Sequence, residues 1–307
     1  MNPSRAEYGA AAVAYPQIGY LHEIDRYWPR LSLVEQKTDR HVVVPDLHGE
    51  YGVLERIVDR YGDQPDVDFV FLGDVLDRNG VENDPEKGVF QTLDIIKDLG
   101  KRAIMTMGNH EWVFLASVLS KDERQRKAMA HYWLGTEKHA GTERNVVSSY
   151  DIVPEKKAHA TAKQVKRRME TMGHMAVLNN IVPYYETEDF IATHAGISST
   201  TSWEVQRAYL KDVAKSMRHG EYYEKPEQWF SMRLATSTDV IRHTDKVVVS
   251  GHAHTLERNG QRYPQCTERV INGGRRVRLA SSLNAPIHAP AYVWQDWDRQ
   301  VAVFPQD

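Results

Sequence analysis

His41-Val42-Val43-Val44-Pro45-Asp46-Leu47-His48-Gly49 decides the fold. A β-branched run of this length reads as a buried strand, and it runs straight into an acid, a histidine and a glycine. The same grammar then repeats. Glu50 to Tyr61 carries Val53, Leu54, Ile57, Val58 and Tyr61 at helical spacing. Val67 to Leu72 is a second apolar run, and it ends in Gly73-Asp74-Val75-Leu76-Asp77-Arg78-Asn79-Gly80. Glu86 to Leu99 is again helical, and Arg102 to Met107 is a third strand that ends in Gly108-Asn109-His110-Glu111. Strands separated by crossover helices predict a parallel sheet, and such sheets bind ligands beyond the carboxyl ends of their strands.

Outward from that core the pattern is less regular. Glu111 to Asn180 is mostly helical and charged, and the runs Lys121 to Lys127 and Lys156 to Arg168 read as solvated helix faces. Strands are expected again at 181–185, 190–193 and 246–250. Two of these end in polar clusters, Thr193-His194-Ala195-Gly196 and Gly251-His252-Ala253-His254. Short strands from Val270 onward, including 277–279, 291–294 and 301–304, suggest a second sheet packed on the first. Residues 1–39, with Pro3, Pro16 and Pro29 and no clean period, read as an N-terminal extension. Residues 40–307 show no composition break and read as a single catalytic domain.

Composition bounds the function. The 307 residues hold 39 Lys+Arg against 42 Asp+Glu, a net charge of -3, with 41% hydrophobic residues. That is ordinary globular usage, and the balance argues against a chain built to coat nucleic acid or a membrane. The single cysteine, Cys266, rules out an internal disulfide and a cysteine-rich metal site and suits a reducing compartment. No apolar run approaches the ~18–20 residues that span a bilayer, and Met1 to Gln17 lacks the pattern of a signal peptide. The expected location is the cytoplasm.

Five polar clusters at five strand ends place Asp, His and Asn together without sulfur, a donor set that suits manganese, iron or zinc rather than a soft-metal centre. Two such ions ~3.5–4 Å apart share a carboxylate and a bridging hydroxide. Asp74, at the end of the central strand, is the natural bridge. Asp46 and His48 would serve one ion, and Asn109, His194 and His252 the other. Arg78 can fork onto two phosphate oxygens. His110, next to a ligand, is free to give a proton to a leaving oxygen, and Asp77 can hold its ring. The chemistry implied is metal-hydroxide attack on phosphorus with His110 as general acid. Trp133 and the other tryptophans, and His174, read as packing residues.

The ordered set Asp-x-His-Gly, Gly-Asp-x-x-Asp-Arg, Gly-Asn-His-Glu, His-Ala-Gly and Gly-His resembles the calcineurin-like metallophosphoesterase superfamily. Gly-Asn-His-Glu with Gly-Asp-x-x-Asp-Arg is similar to its phosphoprotein phosphatase branch, and Trp133 to Tyr150 and Met175 to Gly196 resemble the bacterial and phage members. The resemblance covers His41 to about His254. It departs at Pro45 and Asn79, where the family usually has glycine. It implies an α/β fold of two sheets sandwiched between helices, a four-layer α/β/β/α arrangement. It also implies the ligand roles already argued, His110 as proton donor paired with Asp77, and Arg78 on the phosphate. Trp229-Phe230-Ser231-Met232-Arg233 is similar to the segment that supplies a second arginine, which makes Arg233 that candidate against a plain surface arginine. Many members use a histidine at the place of His254 for the first metal, whereas the protein phosphatase branch often lacks it, so His254 is either a ligand or a histidine behind the ligands or at the surface. The implied activity is that of a phosphomonoesterase acting on phosphoserine or phosphothreonine, or on a small phosphate ester. Cleavage of a dinucleoside polyphosphate such as diadenosine tetraphosphate is the alternative at the same centre, and a scaffold protein with a decayed site is a third reading.

Overall fold

The computed structural model describes residues 40–77, 88–135, 144–198, 201–222, 244–252, 256–258, 261–263, 267–271, 274–279, 291–298 and 300–304. The extension expected over residues 1–39 lies outside them.

The first half follows the predicted alternation. Strand β1 (Arg40–Val44) leads to helix α1 (Tyr51–Tyr61), β2 (Val67–Phe71), α2 (Gly88–Leu99), a short 3-10 turn at Gly100–Arg102, and β3 (Ala103–Met105). β1 pairs in parallel with β2, and β2 with β3. Alternation along the strands sorts their side chains. Val42, Val44, Phe69 and Phe71 share a core with Leu54 and Ile57 of α1 and with Leu93 and Ile96 of α2. His41, on the opposite face, meets the second sheet.

Five helices follow: α3 (Asn109–Leu119), α4 (Glu123–Gly135), α5 (Arg144–Ser149), α6 (Ala158–Met172) and α7 (His174–Asn179). Gly173, at φ 78°, closes α6 and opens α7, a left-handed position that glycine takes without a Cβ clash. The chain then forms β4 (Tyr185–Glu186), β5 (Phe190–Thr193), α8 (Trp203–Arg218) and β6 (Val247–Ser250). Ser202 caps α8 through its hydroxyl, and Trp203 and Arg207 tie the helix to Glu186 of β4. Six more strands follow among the described residues: β7 (Leu256–Arg258), β8 (Gln261–Tyr263), β9 (Thr267–Ile271), β10 (Gly274–Arg278), β11 (Ala291–Gln295) and β12 (Gln300–Phe304).

The sheet orders are β12-β11-β1-β2-β3 and β4-β5-β6-β10-β9, with β7-β8 as a separate hairpin. Both large sheets are mixed. β11 runs antiparallel to β1, while β5, β6 and β10 run parallel to one another. Aromatic rings fill the space between the sheets. Phe190 of β5 lies 5.2 Å from Trp294 of β11 and 5.3 Å from His41 of β1. The protein is therefore α/β with two packed sheets and helices against them, as expected.

Three local expectations change. The strand expected over 181–185 is broken: Val182 bridges Thr106 alone, and only Tyr185 enters a sheet. Pro183 lies between them and has no N–H for a ladder. The tail begins its strands earlier than Val270, at Leu256. The first sheet gains two antiparallel strands from that tail, so it is not parallel throughout.

Candidate metal centre

The polar clusters after β1, β2, β3, β5 and β6 meet at the carboxyl ends of those strands. The loops interlock through their backbones. His48 and Leu47 N–H groups donate to the Asp74 carbonyl at 2.9 and 3.1 Å, Gly49 N–H to the Val75 carbonyl, and Gly251 N–H to the His194 carbonyl. Among the described residues, five non-glycine residues have positive φ, and four of them are here: His48 at 47°, Asp74 at 49°, Asp77 at 59° and His252 at 62°. Non-glycine residues resist this region, and it recurs at functional sites.

Two triads of donor atoms form, each within 4.8 Å of one another, and Asp74 belongs to both. One joins Asp74 to His48 and His110; the other joins it to His194 and His252. Asp74 Oδ2 lies 3.3 Å from His194 Nε2, 3.8 Å from His48 Nε2 and 3.9 Å from His110 Nε2. Asn109 Oδ1 and His252 Nδ1 each lie 3.0 Å from His194 Nε2. Asp46 sits beside the second triad, 3.7 Å from His194, and accepts the His252 N–H with both oxygens at 3.0 Å. The structure thus gathers Asp46, His48, Asp74, Asp77, Asn109, His110, His194 and His252. Arg78, Arg233 and His254 lie outside the described residues.

The donor set fits cations. His48 and His194 donate their Nδ1–H to the Leu76 and Leu72 carbonyls, at 3.0 and 2.7 Å, which turns each Nε2 into the cluster. Asp46, His48, Asp74 and His194 are buried, while Asn109, His110 and His252 reach solvent in part. The electrostatics show crowded negative charge. Burial, aided by the Asp74 charge, pushes the Asp46 carboxyl up to about 6. Burial alone would raise Asp74 too, but the facing His194, His110 and His48 hold it well below the usual range. Burial opposes a charged His194, yet the Asp74 and Asp46 carboxylates overcome it and raise the imidazole to about 9. Divalent cations replace those protons and relieve the same charge.

Two glycines make the approach possible. A Cβ on Gly108 would stand 2.3 Å from both the N and Oδ1 of Asp74, and one on Gly251 would stand 2.2 Å from Asp46 Oδ1.

Two residues join the site with roles that local sequence does not reveal. Glu111, fully buried on α3, accepts the backbone N–H groups of Asp74, Val75 and Leu76 at 2.7, 2.8 and 2.9 Å, and so shapes the loop that carries the shared carboxylate. Its place in Gly-Asn-His-Glu was the available signal. Trp133 is buried, as a packing residue should be, but its indole N–H also donates to Asp77, whose Oδ2 accepts the His110 Nδ1–H at 2.8 Å.

The sequence model of the family described as calcineurin-like phosphoesterase matches residues 40–264. Similar curated proteins include a symmetrical bis(5'-nucleosyl)-tetraphosphatase of Mannheimia succiniciproducens, 26% identical over 191 residues that cover 62% of this chain and 56% of that one. They also include the serine/threonine-protein phosphatase PP1-delta of Caenorhabditis elegans, 51% identical over 37 residues, 12% of each chain. The chain spans 56–66% of the length of the first tetraphosphatases it matches. A Saccharomyces cerevisiae protein serine/threonine phosphatase with similarity to human phosphatase PP5 has a similar structure, with a TM-score of 0.48 and 13% identity, covering 89% of this chain and 82% of that one.

Proposed function

The chain belongs to the calcineurin-like phosphoesterase family, and on that premise we propose that it is a metal-dependent hydrolase of phosphoric esters, with phosphoserine and phosphothreonine in proteins as preferred substrates. The observation that carries this reading is the pair of donor triads joined through Asp74. Asp46, His48, Asp74, Asn109, His194 and His252 would hold two divalent cations, manganese by preference, with His254 as a further ligand. Bound there, the cations would supply Lewis acidity toward phosphoryl oxygens and a water acidified enough to act as nucleophile near neutral pH.

The chain's own residues do the rest. Asn109, His110 and His252 form the partly exposed side, from which substrate enters. His110 gives its Nε2 proton to the leaving oxygen. Asp77, bonded to Nδ1 at 2.8 Å, fixes the ring and supports its positive charge. Arg78, next in sequence to Asp77, forks onto two phosphate oxygens, and Arg233 is the second arginine. Residues 40–307 form the catalytic domain, and the single cysteine suits work in the cytoplasm.

A second reading, hydrolysis of dinucleoside polyphosphates, is favoured by the symmetrical tetraphosphatases among the relatives, which match over 191–217 residues against 37 for PP1-delta. The test is one panel on manganese-loaded protein: a phosphoserine peptide, an aryl phosphate and diadenosine tetraphosphate. Peptide dephosphorylation supports the first reading. Release of nucleoside diphosphates with peptides untouched replaces it with the second. No turnover of any of the three, at full metal occupancy, rejects both.

A further inference from the structure

We propose that Trp133 is a positioning residue for proton delivery: its indole N–H locks the Asp77 carboxylate, which in turn aims the His110 ring. The inference rests on the reading of His110 as proton donor and assigns that donor a support from a distant helix.

Trp133 is on α4, and its ring lies 4.9 Å from Phe114 of α3. His110 is in the first turn of that same α3. Asp77 comes from the loop after β2 and sits between them. The indole Nε1 reaches Asp77 Oδ1 at 2.9 Å and Oδ2 at 3.0 Å. A forked contact of this kind resists rotation of the carboxylate about its terminal torsion, which is otherwise broad. It matters because only Oδ2 holds the His110 Nδ1. If the carboxylate turns, the imidazole loses its guide, and Nε2 leaves its place 3.9 Å from Asp74 Oδ2.

Packing alone does not require this arrangement. The contact with Phe114 uses the rings alone, whereas the contact to Asp77 uses the indole N–H as well. A buried indole N–H needs one partner, and here that partner is the carboxylate behind the proton donor. Asp77 also carries a strained backbone, with φ 59°. Its carboxylate is held on one side by the indole N–H and on the other by the His110 ring.

Trp133→Phe keeps an aromatic ring against Phe114 and removes the N–H donor together with part of the buried ring system, so the comparison of two leaving groups separates the lost donor from the lost volume. On phenyl phosphate, whose leaving group needs a proton, kcat should fall about tenfold or more, while KM stays within about twofold. On 2,4-dinitrophenyl phosphate, whose leaving group departs unprotonated, the change should stay within about twofold. Equal losses on both substrates would overturn the proposal. So would a full second loss when Trp133→Phe is added to Asp77→Ala, because a residue acting through the Asp77 side chain has nothing left to act through.

A readout without turnover comes from proton NMR of the metal-free protein. The His110 Nδ1–H resonance, assigned by its disappearance in His110→Asn, should shift and exchange faster with water in Trp133→Phe. An unchanged resonance would overturn the proposal even if no phosphate ester is ever hydrolysed, so the two readings fail separately. Should Trp133→Phe not fold, replacement of Trp133 by 3-benzothienylalanine, which puts sulfur where the N–H stood, must give the same pattern.

Discussion

Replacing Glu111 tests whether the shared ligand's loop is held from below by one carboxylate. The three N–H groups it accepts are buried, and they are the backbone donors of Asp74, Val75 and Leu76. Removing an acceptor from a buried donor costs about 1–3 kcal/mol. Glu111→Ala strands all three, so about 3–6 kcal/mol of stability should go, allowing for water that enters the void. Glu111→Gln is a sharper probe, because the two oxygens are used unequally. Oε1 accepts from Val75 and Leu76, and an amide oxygen there keeps both bonds. Oε2 accepts from Asp74, and an amide NH2 there faces an N–H. One lost bond predicts a cost of about 1–3 kcal/mol. The comparison belongs at pH 8, because burial and the Asp74 charge push the Glu111 carboxyl up to about 7. Above that the wild-type group is mainly carboxylate. Urea unfolding of metal-loaded protein, extrapolated linearly, gives the energies. Metal content should fall in the same order. A Glu111→Ala protein within about 1 kcal/mol of wild type would refute the argument, as would a Gln variant that loses as much as the Ala variant.

Other outcomes follow from the same geometry. Asp74→Asn should strip both ions, since its carboxylate belongs to both triads; two full equivalents by elemental analysis would end its role as bridge. His110→Asn should lower kcat for poor leaving groups by about 10²–10⁴-fold with metal content near normal. Because His110 Nε2 lies with His48 and Asp74, loss of an ion instead would make it a ligand. Above about pH 5, where the depressed Asp74, Asp94 and Glu186 carboxyls have made their contribution, the metal-free protein should become less stable as pH rises to about 9, against an opposing gain from His174, whose imidazole is pushed down by burial. Asp46 and Glu111 have carboxyls raised to about 6 and about 7, so the folded state holds their protons more tightly, and that advantage fades as pH climbs from their unfolded values through those points. His194, raised to about 9, adds stability below its unfolded value that is lost as pH passes 9. Thermal melts in chelator should trace this fall and melts in manganese should not; a metal-free Tm that rises over that range contradicts it.

The strand-end clusters were legible because chemistry and period coincide. Each apolar run is long enough to be a strand and stops at a polar group, and parallel topology puts all such stops on one edge. Val42, Val43 and Val44 are all buried, as an unbroken β-branched run predicts. Glu111 was visible as a letter in Gly-Asn-His-Glu, but its partners are backbone groups 35–37 positions earlier, which no local pattern encodes. Trp133 is 56 positions from Asp77, and an indole that packs and an indole that donates look alike in sequence. The hairpin of β7 and β8 had a usable signal, because Asn259-Gly260 separates the two strands and that pair favours tight reversals. The expectation that 291–294 and 301–304 join a second sheet fails, because β11 and β12 extend the first one and nothing in a strand's composition says which sheet it will join.

The backbone explains how candidate ligands from five strand ends can sit so close before any ion is added. His48, Asp74, Asp77 and His252 occupy a region that costs a non-glycine residue about 1–2 kcal/mol. Left alone, each loop would relax. It does not, because each is bonded to another: the loop after β1 donates to the loop after β2, the loop after β2 donates to Glu111 of α3, and the loop after β6 donates both to the His194 carbonyl and to the Asp46 side chain. No single loop can leave its strained shape without breaking bonds made by a second. The charges add to the burden, since Asp46, Asp74 and Glu111 are all buried within one cluster. Cations reward this arrangement only in the folded state, and a ligand present at 100 times its Kd stabilises that state by about 2.7 kcal/mol. The protein's own hydrogen bonds therefore set the donor atoms, and metal held by them would offset the strain and the crowded charge that those bonds enforce.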